Sequence, residues 1–222
     1  MEQHTNISNK TIVTGADEKY QHYLPWWIHN VKKYFPGINI TICDFGMKYD
    51  WAYWAENVAD EYIKYEKKHE ISWFHKPQTL LDSKYEYKCW IDIDCEVVGD
   101  ISNIFEYVED KKIATAPDNY HSWGCKFQTG VFAVKDKPRI LEEWAAACKQ
   151  PKNRGDQEIL WDIVKNKQKY ISHIPENYNW LRIALARGND HKDKRIIHWT
   201  GDSGKIKIRQ LIKEYEDDKK TA

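Results

Sequence analysis

With 222 residues, 41% of them hydrophobic and 31% charged, the chain has the size and make-up of one soluble domain with a real core. Lys+Arg and Asp+Glu both total 34, and a net charge of zero argues against a partner held by bulk electrostatics, such as nucleic acid or an anionic membrane. Five cysteines without CxxC spacing, a polar start (MEQHTNISNK) and no apolar run of transmembrane length suit a reduced, cytoplasmic protein, at most peripheral at a membrane.

In chain order, Thr11–Thr14 reads as a short strand ended by Gly15. Apolar residues at helical spacing follow (Tyr23, Trp26, Trp27, Val31, Tyr34), with the helix opening near Pro25 and stopped by Pro36-Gly37. Asn39–Cys43 is a second strand, so the chain begins as a βαβ unit. Trp51–Ala59 reads as a helix, 61–65 as an edge strand and Lys76–Ser83 as a short helix with Pro77 in its first turn. The stretch Cys89–Asp94 is an apolar strand that ends in two aspartates, and Glu96–Val98 is β-rich again. Beyond it come a short capped helix over 100–107, strands over 112–116 and 128–134, and a polar, aromatic loop over 118–126. Helices over 138–149 and 158–166 follow, the second opened by Gly155-Asp156-Gln157. A strand over 170–174, a loop through Tyr178-Asn179-Trp180, a last strand over 194–199, a turn over 201–204 and a basic helix over 205–215 complete the pattern. The charged tail 216–222 is expected to fray. Strands alternating with helices, without repeats or linkers, predict a single α/β domain.

The two aspartates carry the chemistry. Alternate strand residues face one side, so Asp92 and Asp94 are expected to aim at one point. Carboxylates at the end of a buried strand need compensation, and an oxygen-bound divalent cation supplies it. A capped turn meeting only water is the plain alternative.

Several motifs line up in order. The stretch Trp90-Ile91-Asp92-Ile93-Asp94, followed by Gly99-Asp100-Ile101-Ser102-Asn103-Ile104-Phe105, resembles the DxD strand and G-D-[IL] segment of retaining family-8 glycosyltransferases, the glycogenin and lipopolysaccharide galactosyltransferase type. Gln128-Thr129-Gly130-Val131 resembles their N-[ST]-G-[VF], with Gln in place of Asn, and Gly155-Asp156-Gln157-Glu158 their P-D-Q-[DE]. Ile174–Asn179 is similar to L-P-x-x-[YW]-N, Ile197–Lys205 to I-H-[FY]-x-G-x-x-K, and Asp17–Tyr20 to the D-x-x-Y after strand one. The match spans 11–208 and departs from the family between strand two and Lys76 and in the loop 118–126.

The resemblance implies a GT-A (Rossmann-like) domain with a mixed, mostly parallel sheet flanked by helices. It implies a metal-dependent transfer of sugar from a nucleotide-sugar, a UDP-sugar, to a hydroxyl acceptor. Asp92, Asp94 and His198 would hold Mn2+ or Mg2+. Gly15, Asp17, Tyr20, Lys76, Gly201 and Lys205 would bind the donor, Tyr20 by stacking on the base. Asp17 as a helix cap and Lys76 as an exposed lysine at a helix start are equally open. Asp156 and Gln157 would stand beside the anomeric carbon. Without a second carboxylate nucleophile, transfer with retention is expected to run on the face the phosphate leaves, with the Gln157 carbonyl facing the developing charge. The aromatic loop (Tyr120, Trp123) with Tyr178, Asn179 and Trp180 is the expected acceptor wall. The acceptor read first is a saccharide, and a modified nucleobase in DNA second. A catalytically silent nucleotide- or carbohydrate-binding module is the alternative of a different class.

Overall fold

The computed structural model describes residues 7–66, 72–120, 124–150, 154–190 and 193–221. A seven-stranded sheet has the order β3-β2-β1-β4-β7-β6-β8, where β1 is Lys10–Ala16, β2 Asn39–Asp44, β3 Glu61–Lys64, β4 Tyr87–Ile91, β6 Ile113–Pro117, β7 Phe127–Lys135 and β8 Ile171–His173. All its pairings are parallel except those of β7, which runs antiparallel to both neighbours. A smaller sheet joins β5 (Cys95–Val97), β10 (Ile196–His198) and β9 (Trp180–Leu181), with β10 in the middle.

The period of two is visible in the core. Ile12, Cys89, Ile91, Val131 and Ala133 pack on one face with α1 (Leu24–Tyr34) and Ile208 of α7 (Gly201–Thr221). Val13, Trp90, Phe132 and Val134 pack on the other, with Leu80 of α3 (Lys76–Asp82), Trp144 of α4 (Arg139–Cys148) and Leu160 of α5 (Asp156–Val164). Cys95, Val97 and Ile196 of the small sheet share the first of these cores. The remaining helices are α2 (Tyr49–Val58) and α6 (Arg182–Ala186). Among the described residues no helix is long and apolar enough to cross a membrane.

The sheet places a site. From β1 the chain steps to β2 on one side, and β4 pairs with β1 on the other. Such a reversal of strand order opens a crevice at the carboxyl ends of the strands. Lys76 opens α3 and Asp156 opens α5, so both N-termini reach that edge on the Trp90 face.

The structure corrects the sequence in four places. Asp92 and Asp94 lie not on a strand but in the turn after β4, closed by Cys95 N–H donating to the Asp92 carbonyl at 2.9 Å. Residues 201–204 are the first turn of α7 rather than a loop. The tail does not fray: α7 continues to Thr221, anchored by Ile208, Leu211, Ile212 and Tyr215 on one face, with Lys219 and Lys220 in its last turn to oppose the helix dipole. The stretch after Asn179 is not a plain loop, because Trp180 and Leu181 pair with Ile197 and His198 as β9 and lead into α6.

Candidate active site

The crevice is a cavity of about 520 Å³. Ten of the residues singled out from the sequence line it: Gly15, Tyr20, Lys76, Asp92, Asp94, Asp156, Gln157, His198, Gly201 and Lys205. They come from stretches scattered over most of the chain, and the strand ends and helix starts bring them together.

Asp92 is held from several sides. Its N–H donates to the Gly130 carbonyl at 2.8 Å, and Trp90 Nε1 donates to its Oδ1 at 2.7 Å. Lys76 Nζ lies 2.8 and 2.9 Å from its two carboxylate oxygens and 3.4 Å from Asp156 Oδ2. Asp94 Oδ1 faces His198 Nε2 at 3.2 Å, and Asp92 Oδ2 faces the same nitrogen at 3.7 Å. On the far side of the ring, His198 Nδ1 meets Asn179 Oδ1 at 3.1 Å. A carbonyl there takes the Nδ1–H tautomer and leaves the Nε2 lone pair toward the carboxylates.

Burial and mutual repulsion set the charges. Burial, with the charge of Asp94, pushes the Asp92 carboxyl up. Burial works the same way on Asp94, but His198 and Lys76 outweigh it and hold that carboxyl low. Burial opposes the His198 imidazolium, yet Asp94 and Asp92 raise its pKa above the usual value. Burial likewise opposes the Lys76 ammonium, and Asp156 and Asp92 overcome it.

This donor set fits a divalent cation. Two carboxylates and an imidazole nitrogen converge, and burial with the neighbouring Asp94 charge disfavours the ionised Asp92, a penalty a cation would relieve. Gly130 makes the approach possible: a Cβ there would run into His198 Cε1 and Nδ1. The motif containing Gly130 was visible in the sequence, but its reason, room for the imidazole, is tertiary. Cys95 Sγ is also within reach of Asp94 and His198. Burial holds that thiol well above its ordinary pKa, and a neutral thiol is a poor ligand for a hard cation.

Also in the lining, Lys205 Nζ sits 5.1 Å from the Tyr20 ring centre, and its pKa is raised chiefly by a hydrogen bond to that side chain. Lys205 is four residues past Gly201, one more than in the motif it resembles, and both lie at the start of α7. Gly201 has φ +71°, a left-handed value that favours glycine. Gly15 serves packing as well as the cavity, because a Cβ there would collide with the Phe45 ring.

Asp17 does not line the cavity. Its Oδ1 accepts from the N–H groups of Lys19 and Tyr20, so it caps the turn, and its Oδ2 accepts from Ser72 Oγ at 3.2 Å. Gln157 Nε2 donates to Asp118 Oδ2 at 3.1 Å, which turns the carboxamide oxygen away from that carboxylate. Of the expected acceptor wall, Trp123 lies outside the described residues. Tyr178, Asn179 and Trp180 are buried behind the cavity, Tyr178 against Tyr107 at 5.6 Å. Tyr120 is not in the lining either and accepts from Asn189 Nδ2 at 3.3 Å. The cavity is lined there instead by Leu181, Arg182 and Ile183, with Ser72 and the half-exposed Trp73. None of these five carried a motif in the sequence.

No family model and no curated protein matches the chain. Solved structures do. The galactosyltransferase LgtC, in complex with donor and acceptor sugar analogues, superposes with a TM-score of 0.67 at 17% identity, over 92% of this chain and 95% of LgtC. An active-site mutant of LgtC gives 0.66 at 15% over the same shares. The apo form of the glycosyltransferase GlyE of Streptococcus pneumoniae TIGR4 gives 0.68 at 15%, over 96% of this chain and 64% of GlyE. At such identities the likeness is one of fold, and that fold is the GT-A fold expected from the sequence.

Proposed function

We propose that this GT-A chain is a metal-dependent glycosyltransferase that moves a sugar from a UDP-sugar to a hydroxyl of a saccharide acceptor with retention. The observation that supports it is the convergence of Asp92, Asp94 and His198 with Lys76, Asp156, Gln157, Gly201 and Lys205 around one cavity. Asp92, Asp94 and His198 would hold Mn2+ or Mg2+, which supplies Lewis-acid neutralisation of a leaving diphosphate.

The chain's own residues do the rest. Lys205 and the first turn of α7 at Gly201 attract the phosphates. Tyr20, beside Lys205, offers a face to the base. Lys76 fixes the Asp92 and Asp156 carboxylates, so Asp156 can meet donor-sugar hydroxyls from a set position. With its amide group held by Asp118, Gln157 presents its carbonyl to positive charge developing at the anomeric carbon. The bond from that carbon to the phosphate oxygen breaks, the acceptor oxygen bonds on the same face, and its proton passes to the departing phosphate.

Calorimetric titration of UDP-sugars with Mn2+, followed by assay of sugar release, tests the reading. Asp94→Ala should abolish Mn2+-dependent release while the unfolding midpoint stays near that of the parent. Undiminished release in that variant sinks the scheme. Nucleotide binding without release from any donor makes the chain a binding module instead.

A further inference from the structure

The cations of the cavity are not equivalent. Lys76 is taken up by Asp92 and Asp156, and His198 faces Asp94. Lys205 and Arg182 also line the cavity, and among the described residues neither forms an ion pair with a carboxylate. Arg182 opens α6, and its Nε donates to the Thr200 carbonyl at 2.9 Å. That bond fixes the plane of the guanidinium, and among the described residues neither Nη group has a hydrogen-bond partner. A planar fork held in this way is suited to bidentate recognition of a phosphate.

Its position says which phosphate. Thr200 immediately precedes Gly201, and Arg182 Nη2 lies 4.0 Å from where a Gly201 side chain would begin. Arg182 therefore stands on the Thr200 side of the α7 N-terminus, and Lys205 on the Tyr20 side. The far end of α6 runs toward the Gln157 end of the cavity: Arg187, just past it, sits 4.9 Å from the Tyr120 ring centre, and Tyr120 N–H donates to Asp118, the carboxylate that holds Gln157. Charge agrees. The lining carboxylates Asp92, Asp94 and Asp156 equal in number the cations Lys76, Lys205 and Arg182. A divalent cation and the doubly charged diphosphate of a nucleotide-sugar cancel one another, so with His198 neutral as a metal ligand the loaded site is neutral when Arg182 is counted.

We infer that Arg182 is a donor-binding residue that grips the phosphate further from the nucleoside and selects nucleoside diphosphates over monophosphates. This rests on the proposed function, since it names a residue of the same donor site. None of the sequence motifs contains it.

The test is calorimetric titration of the full chain with UDP, UMP and uridine in excess Mn2+, for the parent, Arg182→Ala and Arg182→Lys. Arg182→Ala should weaken UDP about 10- to 100-fold, the range of a lost charge-assisted contact, and leave UMP and uridine within about twofold. Arg182→Lys, which keeps the stem and charge but not the fork, should fall between and guards against loss through misfolding. Unchanged UDP affinity, or parallel losses for all three ligands, overturns the inference and leaves Arg182 a prop for the Thr200 carbonyl. A parent chain that does not bind UDP at all overturns the proposed function itself, and this inference with it.

Discussion

Asn179 Oδ1 stands 3.1 Å from His198 Nδ1, behind the ring and out of the cavity. Asn179 is buried, and its Nδ2 has no hydrogen-bond partner among the described residues. An orphaned buried amide costs stability, so the pair points to a positioning task for the imidazole. Asn179→Leu should therefore weaken Mn2+ binding about 10- to 100-fold, the usual effect of losing such a support. Free Mn2+ measured by electron paramagnetic resonance, with and without UDP, checks this. Unaltered Mn2+ affinity would show that packing alone orients the ring.

Gly130 can be tested by crowding. A Cβ at this position meets the His198 ring, and the Gly130 carbonyl also accepts from Asp92 N–H. Gly130→Ala should cost about 1–3 kcal/mol through overpacking and abolish metal-dependent activity. In a His198→Ala background the same substitution should cost less than about 1 kcal/mol, because the clash is gone. Urea unfolding of the four proteins gives the coupling, and additive costs would contradict the account.

What the sequence could carry follows from these contacts. The apolar run before Asp92, the glycines and the helix starts at Lys76 and Asp156 are local signals, and the structure brings them to one cavity. The expected strand alternation of Asp92 and Asp94 failed because β4 ends at Ile91 and a turn makes the convergence instead. The sequence Gly201-Asp202-Ser203-Gly204 has turn composition but opens α7, and Gly204 is needed for packing rather than for a turn: a Cβ on it would collide with the Trp199 carbonyl. The aromatics at 178–180 looked like a loop wall. Pairing of β9 with β10 buries them and puts Arg182 and Ile183 forward. That pairing joins residues close in space through a partner strand, and no local pattern announces it.

Lys76 is nearly enclosed, with its ammonium between Asp92 and Asp156. Lys76→Met would leave two buried carboxylates without their cation, a loss of about 3–5 kcal/mol for a broken buried pair. The double variant Lys76→Met/Asp156→Asn should regain part of that stability, because one of the stranded charges is removed. Chemical denaturation in the absence of divalent metal reads both values. A single variant as stable as the parent would mean that the ammonium is not what compensates the carboxylates.

Lys88 gives a pH test away from the cavity. It lies on β4, is 1% exposed, and donates from Nζ to the Asp136 carbonyl at 2.6 Å. Burial, with the charge of Lys137, lowers its pKa to about 8. The unfolded chain holds this proton up to about pH 10.4. Between those values the unfolded state binds more protons than the folded one, so stability rises with pH across that window. Below about pH 8 both states are charged and the full penalty of burying the ammonium applies. The parent should therefore gain on Lys88→Met from about pH 8 to pH 10, at up to about 1.4 kcal/mol per pH unit. Urea midpoints of both proteins at pH 7, 8, 9 and 10 measure the gain, and parallel curves would mean that the ammonium is solvated in the folded chain.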